Sequence, residues 1–293
     1  MSSSTSSSFS SLPISASTWF ITGISRGLGR SIATEVMQRG GRVAGTVRNL
    51  SDAGDLRQRF PNRLWLGTLD LSDLANIPMV FQSAVEQFGR MHAVVSNAGY
   101  SLLGAAEELD LAAIRHIVDT NLTGSIQLAR AAVAHMRPLG GGRLIQISSG
   151  AGQAAFAGLS AYCATKWGIE GFFEALSQEV AGFGIGTTLV EPGAIRTDFG
   201  ASGVLSPELE AYRESPAGLM RQMAHSGYVA PGDPAKMAKA IVDTFEVSTA
   251  PPRLALGPDV HGYIKTALTT RLVQLESFQD VTMSTDCDDV GAR

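Results

Sequence analysis

The sequence predicts an α/β fold, a doubly wound parallel sheet with helices on both faces, and three observations predict it. Short β-branched or aromatic runs alternate with longer segments of helical periodicity. Several of those runs are apolar without interruption, as strands covered on both faces require. The 293 residues, 44% of them apolar, are enough to close one sizeable core. Together they describe a single Rossmann-type domain of about seven strands, whose ligands bind beyond the carboxyl ends of those strands.

In chain order the strands are expected at 18–22, 42–47, 64–69, 93–96, 143–147, 186–190 and 253–256. Between the first two, Leu28, Ile32, Val36 and Met37 form a helical stripe, and Ile169, Phe172, Phe173, Leu176 and Val180 form another further on. Residues 194–228 break the alternation. They mix Phe199, Leu205, Tyr212, Leu219, Met220 and Met223 with small residues, a composition that suits a binding loop or lid. Val260, Tyr263, Ile264, Ala267, Leu268, Leu272 and Leu275 then recur at helical spacing, to pack on that lid or on a partner subunit.

The expected organisation is a disordered Ser-rich tail over 1–17, one domain over 18–280 and an acidic tail over 281–293. The Ser-rich start has no basic or apolar segment of a targeting signal, and no run of eighteen apolar residues occurs, so a cytoplasmic protein with no membrane span is expected. A net charge of −4 without a Lys or Arg block argues against nucleic acid as a partner. Cys163 and Cys287 stand apart, without ligand neighbours at metal spacing, so neither a disulfide framework nor a metal site is expected. His225 stands alone on a loop and takes no role.

Directly after the first strand comes Thr22-Gly23-Ile24-Ser25-Arg26-Gly27-Leu28-Gly29, running into a helix. Glycines there permit a tight turn and let backbone N–H groups and the positive helix end meet a pyrophosphate. Some twenty residues on, where an NAD enzyme places a carboxylate against the ribose, the chain has Gly45-Thr46-Val47-Arg48-Asn49. Arg48, with Arg26 opposite, suits a 2′-phosphate, so NADP(H) is expected in preference to NAD(H). Tyr162-Cys163-Ala164-Thr165-Lys166 opens a long helix, and four residues apart Tyr162 and Lys166 share a face. An ammonium beside a phenol stabilises the phenolate, and such a tyrosine can move a proton to or from a substrate oxygen.

The loop spacing, with three residues between Gly23 and Gly27 and one between Gly27 and Gly29, resembles the T-G-x-x-x-G-x-G fingerprint of the short-chain dehydrogenase/reductase family. The resemblance continues in family order. Asp70-Leu71 matches the adenine-side contact, and Asn97-Ala98-Gly99 the N-A-G element that lines the cofactor site. Asn121 matches the asparagine that holds a relay water, Ser149 the substrate-orienting serine thirteen residues before the tyrosine, and Tyr162 and Lys166 the acid–base pair. Pro192-Gly193-Ala194-Ile195-Arg196-Thr197 matches the segment that meets the nicotinamide, with Pro192, Gly193, Ile195 and Thr197 as the contacts.

The resemblance implies a ketoreductase-type enzyme that moves hydride between nicotinamide C4 and a secondary alcohol or ketone. Asn121, Ser149, Tyr162 and Lys166 would be catalytic. Gly23, Ser25, Arg26, Gly27, Leu28, Gly29, Arg48, Asp70, Leu71, Asn97, Ala98, Gly99, Tyr162 and Lys166 would hold the cofactor together with the 192–197 segment. It also implies a homodimer or homotetramer joined through the helices of Asn121 and Tyr162. Tyr100, Leu102 and Leu103, with the apolar residues of 194–228, suggest a hydrophobic substrate, as in carbonyl reductases and steroid- or retinol-type dehydrogenases. The alternatives are the extended epimerase group, whose glycine loop is spaced differently, and a catalytically silent NADP(H)-binding sensor or scaffold on the same fold.

Overall fold

The computed structural model describes residues 12–197, 199 and 203–287. Residues 1–11 and 288–293 of the expected tails, and 198 and 200–202 of the expected lid, lie outside the described residues. Nine strands occur among those described: β1 (Thr18–Thr22), β2 (Arg42–Val47), β3 (Leu64–Thr68), β4 (Ala93–Ser96), β5 (Leu102–Leu103), β6 (Gly142–Ile147), β7 (Ile185–Pro192), β8 (Val204–Leu205) and β9 (Arg253–Leu256). The α-helices are α1 (Gly27–Gln38), α2 (Gly54–Arg59), α3 (Asn76–Phe88), α4 (Leu111–Val118), α5 (Gly124–Met136), α6 (Ser160–Val180), α7 (Pro216–His225), α8 (Pro234–Asp243), α9 (Pro258–Ser277) and α10 (Gln279–Met283).

Seven strands form one sheet in the order β3-β2-β1-β4-β6-β7-β9, every neighbouring pair parallel. The chain winds outward from β1 to β3, returns to lay β4 on the other side of β1, and winds outward again. The order therefore reverses between β1 and β4, which opens a crevice at their carboxyl ends. Side chains alternate across the sheet: Trp19 and Ile21 join the core under α1 and α8, while Phe20 joins the one under α3, α5 and α6. Both helical stripes expected from the sequence are packed, Phe172 partly and the others buried.

One feature differs from expectation. The body begins before Thr18: Ile14–Ala16 is a 3-10 turn, Ile14 is 2% exposed within the core, and the Ser17 hydroxyl donates to the Ile14 carbonyl at 2.7 Å. Within the expected tail Ile14 and Ser17 are thus buried, and Ile14 joins the core on the α1 side of the sheet, while Pro13, Ser15 and Ala16 stay exposed. At the other end α9 is present with Val260 buried, while Tyr263, Leu268, Leu272 and Leu275 are exposed in the single chain, which leaves the partner-subunit alternative for that stripe.

The edge of the sheet opposite the crevice is held by two neutral imidazoles. His92 Nδ1 accepts from the Thr18 N–H at 3.1 Å and His135 Nε2 accepts from the Met91 N–H at 3.0 Å. Burial, helped by Arg90, Arg42 and His135, pulls His92 from 6.5 down to about 4, and burial and Arg90 lower His135. A ring that must stay neutral when folded, but takes a proton readily when unfolded, contributes stability that is complete above the unfolded value. That stability is lost as the pH falls from about 6.5 towards 4. Thermal melts across this window should show Tm falling, with about 1–2 kcal/mol lost once solvent screening of these half-buried rings is allowed for. A flat Tm from neutrality to pH 4 would contradict the assignment.

Candidate active site

The loop after β1 is shaped by its glycines. Gly23 and Gly27 have φ of 72° and 60°, a region costly for other residues. A Cβ on Gly29 would collide with the Asn97 amide and the Gly23 carbonyl, so the first turn of α1 lies directly against β4. Asn97 ties the two strands across the crevice: its Nδ2 donates to the carbonyls of Thr22 at 2.9 Å and Gly23 at 3.2 Å. Thr22 Oγ1 returns the contact by accepting from the N–H groups of Asn97 and Ala98 at 2.9 and 3.0 Å. Arg26 stands at the helix N-cap with no side-chain cap, and no acid occupies the first turn, so the N–H groups of α1 face the crevice without a competing carboxylate.

Arg26, at the mouth of this loop, and Arg48, just beyond β2, are both exposed. Burial raises the Asp70 carboxyl, but hydrogen bonds from Ser72 and the charges of His116 and Arg48 outweigh it and hold the group low. Leu28 and Leu71 are buried in the two core layers, so only their main chain can reach a ligand. On the far wall Thr197 overhangs the glycine loop, 3.6 Å from where a Cβ on Gly27 would stand. Pro192 ends β7, and Gly193 and Ala194 lead to Ile195, which bridges to Gly232. Asp259 braces this segment by accepting from the Ala194 N–H at 2.9 Å and filling the space over Gly193. Sequence reasoning missed Asp259, whose only signal is its place in the first turn of α9.

Ser149, Tyr162 and Lys166 converge at the same edge. Ser149 follows β6 and its Oγ accepts from the Ala151 N–H at 3.1 Å, near enough to the Tyr162 phenol to work against its upward shift. Lys166 Nζ donates to the Ile147 carbonyl at 2.9 Å and lies 5.7 Å from the centroid of the Tyr162 ring. Burial pushes the phenol up to about 12, against the opposing Ser149 contact, and pulls the ammonium down to about 8, against the pull of Glu170. In the chain by itself burial decides both groups; the expected lowering of the phenol draws on the nicotinamide's positive charge as well as on Lys166.

Asn121 sits in a π-helical turn, Asp119–Thr123, between α4 and α5. Such bulges recur at functional sites, and this one turns the amide onto main chain. Its Nδ2 donates to the Tyr100 carbonyl at 2.8 Å, and its Oδ1 accepts from the Tyr100 N–H at 3.1 Å. Tyr100, Leu102, Ile117, Ala151 and Cys163 pack around Tyr162, and Phe199 lies 6.3 Å away, ring centroid to ring centroid. The 194–228 stretch is fastened to the body. β8 pairs with β5, and buried Glu108 accepts from the N–H groups of Ala105 and Leu209 at 2.8 and 2.9 Å and from Arg221 at 2.8 Å.

The sequence profile of the short chain dehydrogenase family matches residues 17–204. The chain belongs to the short-chain dehydrogenase family. Among its relatives, this short-chain dehydrogenase is 33% identical over 268 residues to oxidoreductase BOA17 of Botryotinia fuckeliana, covering 91% of this chain and 98% of that one. It is 31% identical to retinol dehydrogenase 16 of Rattus norvegicus over 72% of this chain and 67% of the relative. A solved short-chain dehydrogenase from Streptomyces avermitilis superposes with a TM-score of 0.86 at 38% identity, covering 92% of this chain and 98% of the other. As in its sequence, no described helix of this short-chain dehydrogenase is long and apolar enough to cross a membrane.

Proposed function

We propose that the chain transfers hydride between a nicotinamide, NADP(H) in preference to NAD(H), and a hydrophobic secondary alcohol or ketone. The observation that carries this is the convergence of Ser149, Tyr162 and Lys166 beside a glycine-lined crevice. A phenol, a hydroxyl and an ammonium meet there in one buried place. The crevice fits a dinucleotide because Gly23, Gly27 and Gly29 bring bare backbone to it, the end of α1 offers uncapped N–H groups, and Thr197 forms the opposite wall. A nicotinamide bound there supplies the hydride, and the chain supplies the rest.

The residues divide that work. Ser149 can hydrogen-bond the substrate oxygen as negative charge develops on it. The Tyr162 phenol, kept protonated at neutral pH by burial, can give that oxygen its proton as a carbonyl becomes an alcohol, and can take it back in the reverse direction. Lys166 stabilises the phenolate so formed. The Asn121 amide is engaged with Tyr100, so any part in a water relay falls to its main chain. A silent sensor would have no use for this buried acid–base set. The apolar surroundings of Tyr162, and the likeness to a retinol dehydrogenase, support a lipophilic substrate. Association into a homodimer or homotetramer is part of the same reading, supported by Leu111 and Trp167, which stand 57% and 42% exposed on α4 and α6.

The test is NADPH and NADH consumption across carbonyl compounds graded in size and polarity. NADPH should be favoured with the larger apolar ketones. Arg48→Ala should raise KM for NADPH about tenfold or more and leave KM for NADH within about twofold, the loss of one charge-assisted contact to phosphate. Equal effects on both cofactors would remove Arg48 from 2′-phosphate recognition, and NADPH binding without turnover of any carbonyl would favour the sensor.

A further inference from the structure

Three of the segments that carry the chemistry meet at one buried carboxylate. Glu170 lies one helical turn beyond Lys166 on α6, its side chain 3% exposed. Its Oε1 accepts from Ser148 Oγ at 2.6 Å, and its Oε2 accepts from the Gln153 amide and from Arg253 Nη1, the latter at 2.6 Å. Ser148 and Gln153 flank Ser149, so the carboxylate grips both ends of the turn that presents that hydroxyl. The turn closes on it tightly enough that a Cβ at Gly152 would collide with the carboxylate. Arg253, on β9, also holds Glu191, the residue before Pro192-Gly193, and reaches Glu174 at 2.6 Å.

We propose that Glu170 is a positioning residue for the reaction, a buried clamp that fixes the Ser149 turn against the helix bearing Tyr162 and Lys166. Through Arg253 it also fixes the strand end leading to the nicotinamide loop. The inference rests on the reading of Ser149, Tyr162 and Lys166 as the chemical set. A hydroxyl, an amide N–H and a guanidinium converge on its two oxygens, and an acceptor-only carboxylate can take all three. Arg253 offsets the burial of its charge, which in turn favours the protonated form of Lys166 against burial. An ion pair that merely pins β9 would be served as well by exposed Glu174 and would not need Ser148 or Gln153.

The test uses the full chain, NADPH and a ketone that the wild type reduces. Measured are kcat, KM, NADPH affinity by fluorescence, and Tm. Glu170→Gln turns an N–H₂ towards Arg253 or Ser148 and is expected to lower kcat about thirtyfold or more, with the NADPH Kd within about twofold, as misplacement of a reacting group does. Ser148→Ala removes only the link to the turn and should lower kcat about fivefold. Glu174→Gln, which removes the exposed arm of the same arginine, should leave kcat unchanged. A folded Glu170→Gln with kcat within about threefold of wild type overturns the clamp. If that variant does not fold, Ser148→Ala decides alone: a lowered kcat supports the clamp and a wild-type kcat overturns it. Tyr162→Phe in the same assay separates the two levels, because full activity there overturns the parent reading as well. An inactive Tyr162→Phe beside unimpaired Glu170 and Ser148 variants sinks the clamp alone.

Discussion

Tyr162→Phe is expected to lower turnover about a hundredfold to ten-thousandfold, the range that a positioned proton donor supplies, with the fold intact. The substitution removes one oxygen and keeps the ring, so contacts with Leu102, Ile117, Ala151 and Cys163 persist. What it removes is the proton that must reach the substrate oxygen. With that phenol held at about 12 by burial, it is protonated across neutral pH and ready for the reductive direction. The hydroxyl is also one of the expected cofactor contacts, so the Kd for NADPH should weaken by no more than the roughly tenfold that one neutral hydrogen bond supplies. Steady-state rates and a fluorescence titration check both halves. A variant that retains most of the wild-type kcat would remove the phenol from the chemistry.

Lys166→Ala is expected to be the more damaging change, because two losses coincide. Its Nζ is the cation nearest the Tyr162 ring, so its removal leaves a phenolate formed during the reaction without a partner and should cost about a hundredfold or more in kcat. If the same ammonium also holds the nicotinamide ribose, losing a charge-assisted bond worth about 1.5–3 kcal/mol weakens NADPH about tenfold to a hundredfold. An unchanged NADPH Kd would contradict that second role while leaving the first. Since burial already draws this ammonium down to about 8, activity that needs its charge should fall as the pH rises through that value. A wild-type rate unchanged from pH 7 to 9 would mean the charge is not used.

Much of this was legible in the residues. The runs at 18–22, 42–47, 93–96 and 253–256 are strands with those ends, because short runs rich in β-branched, aromatic and aliphatic residues between helical stripes leave little freedom of assignment. Strand β7 runs further than expected, to Pro192, where pairing with β9 continues through residues with no strand propensity of their own. Glu170 escaped notice for a physical reason. A glutamate four residues after a lysine reads as an exposed helical ion pair, and its burial depends on α6 passing beneath the Ser148–Gln153 turn, which no local pattern states. The Tyr162 phenol is a different case. Sequence names its neighbours, but the balance between an adjacent cation and lost hydration is set by depth. The α9 periodicity describes a stripe without saying whether the 194–228 stretch or a partner subunit lies against it, and in the single chain most of it is uncovered.

The fastening of the 194–228 stretch by Glu108 separates two kinds of constraint on this chain. Tyr162 and Lys166 sit on α6 and Ser149 on the turn that follows β6, where replacement disturbs the fold. The stretch that overlooks them is secured through main-chain N–H groups at Ala105 and Leu209, two paired residues of β8, and one arginine. Anchors of that sort ask little of the side chains between them. If that stretch lines the substrate's place, as proposed, selection can rewrite what this enzyme admits, one exposed residue at a time, without reopening the question of whether the chain folds or what reaction it performs.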